Sequence, residues 1–176
     1  MITTMKGNLT GLDFDIIVDP NDETLTADVN SVSRKIFREA GYEMSMHCRN
    51  LDGCAVGHAK MTLGFRLPSL AVIHMAVPHY IDGEHNEDIY LEACYWNTMC
   101  MAYEFMEHNH MEKVHIAFPD LPTYPYHFPR EEACRIAVDA VNRIQREYPD
   151  TQAVQVSFIC DDEQSYLVYK KELRSR

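Results

Sequence analysis

The sequence predicts an α/β layer fold built on a mostly parallel central sheet. Short apolar runs that read as strands alternate with stretches long enough to cross back as helices. Within those stretches, apolar residues recur at the three- and four-residue spacing of one helical face. The 176 residues lie within the usual range of one domain, and 46% of them are hydrophobic, enough to form a sizeable core.

The elements follow in order. Asp15-Ile16-Ile17-Val18 reads as a strand, and Asp19-Pro20-Asn21-Asp22 as a polar turn after it. A helix is expected over 31–40, where Val32, Ile36, Phe37 and Ala40 share a face. Asn30 or Ser31 suits its N-cap, and Gly41 suits the position beyond its end. Residues 59–65 alternate enough for a strand, and Leu70 to Val77 reads as a buried strand ended by Pro78. The polar loop Ile81–Asp88 leads into a helix over 88–107, and its acids suit the positive end of that helix. Leu91, Cys94, Tyr95, Met99, Ala102 and Met106 form the helix's apolar stripe. Val114–Pro119 is another short strand, followed by the aromatic and proline-rich loop 120–129. Pro129 opens the next helix, on which Ala133, Ile136, Ala137, Ala140, Val141 and Ile144 recur at helical spacing before Pro149. Val154–Ile159 is the last strand, and a polar turn leads to a terminal helix near 163–174. Residues 1–176 read as a single domain.

Asp and Glu number 27 against 16 Lys and Arg, a net charge of −11, and the acid excess is spread along the chain rather than held in a tail. Such a surface repels phosphate backbones and anionic lipid, which disfavours general nucleic-acid binding and membrane binding. A small anionic ligand held by backbone amides stays open. No apolar run approaches the length of a membrane span, and no basic start precedes an apolar segment, so a cytoplasmic location is expected. The six cysteines are 48, 54, 94, 100, 134 and 160. Cys48-x5-Cys54-x3-His58, with His47 beside it, is the cluster to weigh for zinc, but it lacks paired C-x2-C knuckles. The thiols read as scattered through the core, no metal or cofactor is expected, and the sequence leaves the oligomeric state open. His74, inside an apolar run, reads as a satisfied core or cleft-edge histidine. Gly53, Gly57 and Gly64 read as backbone-geometry positions.

In open α/β sheets, ligands collect beyond the C-terminal strand ends. The loops 19–31, 74–87, 119–129 and 160–166 are therefore the candidate site, and the unusual side chains lie there. The central stretch is Gly53-Cys54-x2-Gly57-x-Ala59-x2-Thr62-x-Gly64-x2-Leu67-Pro68-x3-Val72-Ile73-His74-x3-Pro78. It is followed by Leu91-x2-Cys94-Tyr95, by Ile116-Ala117-Phe118-Pro119 and by Phe128-Pro129 with Ala133 and Ile136-Ala137. In order and spacing these resemble the macro domain family, whose members bind ADP-ribose and in many cases remove ADP-ribosyl groups. The resemblance implies a three-layer α/β/α fold with a mixed, mostly parallel sheet.

The same resemblance implies where a nucleotide ligand such as ADP-ribose sits. Gly7-Asn8-Leu9-Thr10 resembles the family's Gly-Asp-Ile-Thr, which places Asn8 at the adenine and makes Leu9 a candidate ligand contact. Asp19-Pro20-Asn21-Asp22 stands for Asn-Ala-Ala-Asn, which places Asp22 at the distal ribose. The glycine-rich loop that follows in the family is here Asp28-Val29-Asn30-Ser31-Val32, without a glycine, so Asn30, Ser31 and Val32 are the candidate phosphate contacts. Ser33 takes the position of an acid often implicated in hydrolytic members. The second phosphate loop becomes Pro122-Thr123-Tyr124-Pro125-Tyr126-His127-Phe128-Pro129, which offers Thr123, Tyr124, Tyr126, His127 and Phe128. Asp161 and Tyr166 resemble the family's final strand end and its nearby aromatic turn. Binding of ADP-ribose or a related nucleotide diphosphate is the leading expectation. Hydrolysis of ADP-ribosyl or O-acyl-ADP-ribose is an alternative in which Asp22, Asp28 or His127 positions water or moves a proton. A domain that has lost ADP-ribose binding is the other alternative.

Overall fold

The computed structural model describes residues 1–175. The chain runs β1 (Ile2–Lys6), β2 (Ile16–Asn21), α1 (Ser31–Ala40), α2 (Tyr42–Asn50), β3 (Ala59–Leu63), β4 (Ala71–Ala76), α3 (Glu87–His108), β5 (Val114–Pro119), α4 (Thr123–Tyr126), α5 (Arg130–Glu147), β6 (Val154–Cys160) and α6 (Glu163–Arg174). The strands form one sheet in the order β1-β6-β5-β2-β4-β3. Every pairing is parallel except β3 with β4. The mixed, mostly parallel sheet is therefore as expected.

Alternation along the central strands sorts side chains into two cores. Ile16 and Val18 of β2 with Ala71, Ile73 and Met75 of β4 face the layer of α3, α5 and α6. Ile17 of β2 with Val72 and Ala76 of β4 face Ile36, Phe37, Met44 and Cys48 on α1 and α2. The three layers follow directly from that division.

Four elements depart from the expectation, one of them α4, a short helical turn inside the segment 120–129 that reads as a loop. β1 is an edge strand with exposed Thr3, Met5 and Lys6, and it acquires its order by pairing with β6 rather than from its own pattern. α2 buries only Met44 and Cys48, too narrow a stripe to stand out by spacing. β2 does not turn at Asp19 but continues through Asn21, with Pro20 opposite Met75. The Asn21 carbonyl accepts the Val77 amide on the β4 side, so the neighbouring Pro20 faces the β5 side. Pairing with β5 already ends at Ile17–Ala117, so the missing proline N–H removes no ladder bond.

α1 matches its expected span, with Asn30 as the N-cap accepting the Ser33 amide and Gly41 beyond the end at φ +95°. Gly64 shows why its position excludes a side chain: a Cβ there would lie 1.9 Å from the Ser69 carbonyl oxygen. The obstacle is backbone, held by the Gly64 amide to the Leu70 carbonyl at 2.9 Å. A Gly64→Ala variant is expected to lose about 2–3 kcal/mol of stability, measured by urea unfolding, because the β3–β4 turn must open to admit a methyl group.

Candidate functional site

The C-terminal ends of β2, β5 and β6 lie at the same edge of the sheet, and two adjoining hollows open above them. The larger is a trough of about 590 Å³ between the segment 28–32 and the loop after β5. The smaller is a slot of about 160 Å³ with apolar walls from Leu9, Val32, Ile36, Pro119 and Ile159. Ser31, Val32 and Asp161 line both, so the two adjoin across these residues. Ser31 and Val32 open α1, where amides have no carbonyl one turn earlier to bond and where the helix dipole favours an anion. A hollow of similar size, about 560 Å³, lies between α3 and α5. There Arg143 is already paired with Glu92 and Glu147 and lies over the Trp96 ring.

Beneath the cleft is a fully buried polar cluster. The Asp19 carboxylate sits 2.8 Å from His74 Nδ1 and accepts the Ser33 hydroxyl and, at 2.8 Å, the Asn21 amide. Asn21 in turn donates to the Thr26 carbonyl and accepts the Asp22 amide, so the cluster ties down the start of the ligand loop. His74 Nε2 meets Thr62 at 2.9 Å and the Cys48 sulfur at 3.7 Å. Burial alone would pull the imidazole pKa down. The hydrogen bonds and negative charge of Asp19 and the contact with Cys48 outweigh it, raising the pKa to about 9. His74 is thus a charged, satisfied core histidine.

The candidate residues divide by position. Leu9 forms the slot wall, while Asn8 is exposed beside it, its Oδ1 accepting the Thr10 hydroxyl at 3.0 Å. Asn30 is buried, donating to the Pro20 carbonyl and, at 3.2 Å, to the Tyr126 oxygen. The fully buried Tyr126 donates its own hydroxyl to Pro20, so both loops are bound to the end of β2. Thr123 and Tyr124 line the trough, Tyr124 being 72% exposed. Phe128 is buried against Tyr80, and Tyr166 lies under the Lys170 ammonium.

The three candidate proton-transfer groups do not converge. Asp22 lines neither hollow and turns to its own loop, accepting the Thr24 amide at 2.9 Å and the Thr24 hydroxyl. Asp28 is exposed and lies 3.6 Å from Arg34. His127 is exposed at the end of α4 in the left-handed region, at φ 61°. Among the described residues, no hydrogen bond joins any two of the three. Asp82, His85 and Glu87 offer ligand atoms within 4.8 Å of one another. The Glu87 carboxylate, however, accepts the amides of Ile81, Asp82, Gly83 and His85.

Sequence reasoning overlooked Lys35, Ile36 and Pro119 in the slot and Arg34, Asp120 and Arg130 in the trough. It also overlooked the cluster beneath. Asp19, Ser33 and His74 each stand at a core-facing position of a strand or helix, and that was the available signal.

Removing either partner of the buried pair leaves the other uncompensated. His74→Ala is expected to lower unfolding stability by about 3–5 kcal/mol. The pKa of His74 is raised on folding, so its contribution is complete below its ordinary value of 6.5 and disappears as pH rises through about 9. Chemical unfolding across that window should show the wild type losing stability, and His74→Gln losing the part of that slope due to this group.

The sequence pattern of the Macro domain family matches residues 18–137. A macro domain-containing protein of Chlorobaculum tepidum is 34% identical over 174 residues, 98% of this chain and 95% of that protein. A protein of Escherichia fergusonii named O-acetyl-ADP-ribose deacetylase is 35% identical over 176 residues, covering 98% and 94% of the two chains. The solved macrodomain of Trypanosoma brucei in complex with ADP superposes with a TM-score of 0.84 at 26% identity, covering 98% of this chain and 68% of that one. By sequence pattern, relatives and superposition, the chain belongs to the macro domain family.

Proposed function

We propose that the domain binds ADP-ribose, with the adenine in the apolar slot and the diphosphate along the trough against the first amides of α1. The observation that carries this reading is the wall that slot and trough share at Ser31 and Val32. A slot large enough for a base adjoins a polar channel beside the first amides of α1, which have no carbonyl one turn earlier to bond. The ADP in the Trypanosoma brucei structure and the name of the Escherichia fergusonii relative support the same ligand class. The net charge of −11 favours a small ligand held by amides over a nucleic acid. Six free thiols accord with a reducing compartment, which we take to be the cytoplasm. Among the described residues, no helix is long and apolar enough to cross a membrane.

The reading is one of binding rather than hydrolysis. Ser33, at the family's acidic position, is buried and spends its hydroxyl on Asp19. A general base needs access to water and substrate; Asp22 lines neither hollow and is spent on Thr24, and Asp28, at the trough wall, lies against Arg34 at 3.6 Å.

Calorimetric titration with ADP-ribose should give a saturable signal. Val32→Tyr, which fills the wall shared by slot and trough, is expected to weaken affinity at least about ten-fold, or 1.4 kcal/mol. No heat and no thermal shift at millimolar ligand would overturn the reading. Incubation with O-acetyl-ADP-ribose should release no acetate above the protein-free rate.

A further inference from the structure

The trough carries four carboxylates, Asp28, Asp120, Asp161 and Asp162, against two guanidinium groups, Arg34 and Arg130. Both cations already have partners, Arg34 with Asp28 at 3.6 Å and Arg130 with Asp162 at 3.3 Å. Asp120 has no such cation among the described residues. It follows directly on β5, its amide donates to the Ile159 carbonyl, and its Oδ2 accepts the Ser165 hydroxyl at 2.7 Å. Its half-buried carboxyl is pushed above the usual range by burial, with Asp161 and Asp162 adding to the push and the Ser165 hydrogen bond opposing it.

Tyr95 on α3 and Tyr169 on α6 are held protonated by burial, and burial pushes the Cys160 thiol on β6 up to about 12. Arg130 at the start of α5 is committed to Asp162. Asp161 and Asp162, in the turn before α6, are exposed. Asp120 is left as the half-buried group in the trough whose charge is poised to respond to an incoming anion.

We propose that Asp120 takes up a proton from solvent when a diphosphate enters the trough, and so makes ligand affinity depend on acidity. The proton goes to the carboxylate itself, and no bond in the ligand is made or broken. The inference rests on the ADP-ribose reading above. Two negative phosphates beside Asp120 favour its neutral form more strongly than the empty trough does. Affinity is therefore highest below the pKa of the free domain and declines as pH rises to that of the liganded one.

ADP-ribose is a suitable probe because its pyrophosphate diester keeps both charges throughout the range. Titrations at several pH values between about 5 and about 8, each in two buffers of different ionisation heat, should show proton uptake where the affinity changes and a dissociation constant rising about three- to ten-fold with pH. Asp120→Asn should bind at pH 8 at least as tightly as the wild type does at pH 5, with no buffer dependence from this group. Ser165→Ala, which removes the hydroxyl that stabilises the carboxylate, should move the decline to higher pH and provides an independent variant. Flat wild-type affinity without proton uptake, or an unchanged pH profile in both variants, would overturn the proposal. Failure of wild type and Asp120→Asn to bind ADP-ribose at either pH would instead remove the ADP-ribose reading, and this inference with it.

Discussion

A buried charge pair organises this domain. Asp19 and His74 face each other across β2 and β4 with no exposure to solvent, and each spends its remaining polar atoms on neighbours. Such a pair adds little net stability over a well-packed apolar one, but it makes partial structures costly. His74 is satisfied only when β3 and α2 supply Thr62 and Cys48. Asp19 is satisfied only when Asn21 and Ser33 are in place, which fixes the end of β2 relative to the start of α1. The cleft above inherits its shape from that condition, because its Ser31–Val32 wall is the first turn of the same helix.

The proposed phosphate site would be built in another way than a glycine-rich loop. Glycine-rich loops place amides against phosphate by adopting positive φ at low cost. Here the segment 28–32 contains no glycine, and the amides on offer are those at the opening of a capped helix whose Asn30 also holds the opposite loop. Lost backbone freedom is replaced by side-chain hydrogen bonds. The tyrosine and histidine at the former glycine positions are accommodated without entering the buried cluster: Tyr124 points outward and His127 takes a left-handed conformation.

Legibility in the sequence followed the source of order for each element. α1, α5 and α6 carry their own signals, an apolar stripe with a cap or a proline boundary, and their spans were readable. The edge strand β1 is ordered by its neighbour, and α2 by two buried side chains, so neither announced itself. The strand through Pro20 was hidden because proline is a breaker by composition, and only the sheet order reveals that its missing donor faces an unpaired side. Leu9 and Val32, singled out by likeness in spacing as candidate ligand contacts, line the slot. The buried cluster was not legible, since it joins residues 55 positions apart whose meeting depends on strand register. Asp120 escaped notice because a polar residue after a strand is common, and only the surrounding acids and the paired arginines give it significance.

The hydroxyl of Tyr126 bears on the thermodynamics of recognition. By joining the loop after β5 to the end of β2, with Asn30 bonded to the same carbonyl, it orders both walls of the trough before any ligand arrives. Binding sites assembled from mobile loops lose about 0.5–1.5 kcal/mol for each side chain they immobilise. With Asn30 and Tyr126 already fixed by these bonds, that entropic loss falls on folding instead, and the proposed ligand would meet a preorganised surface.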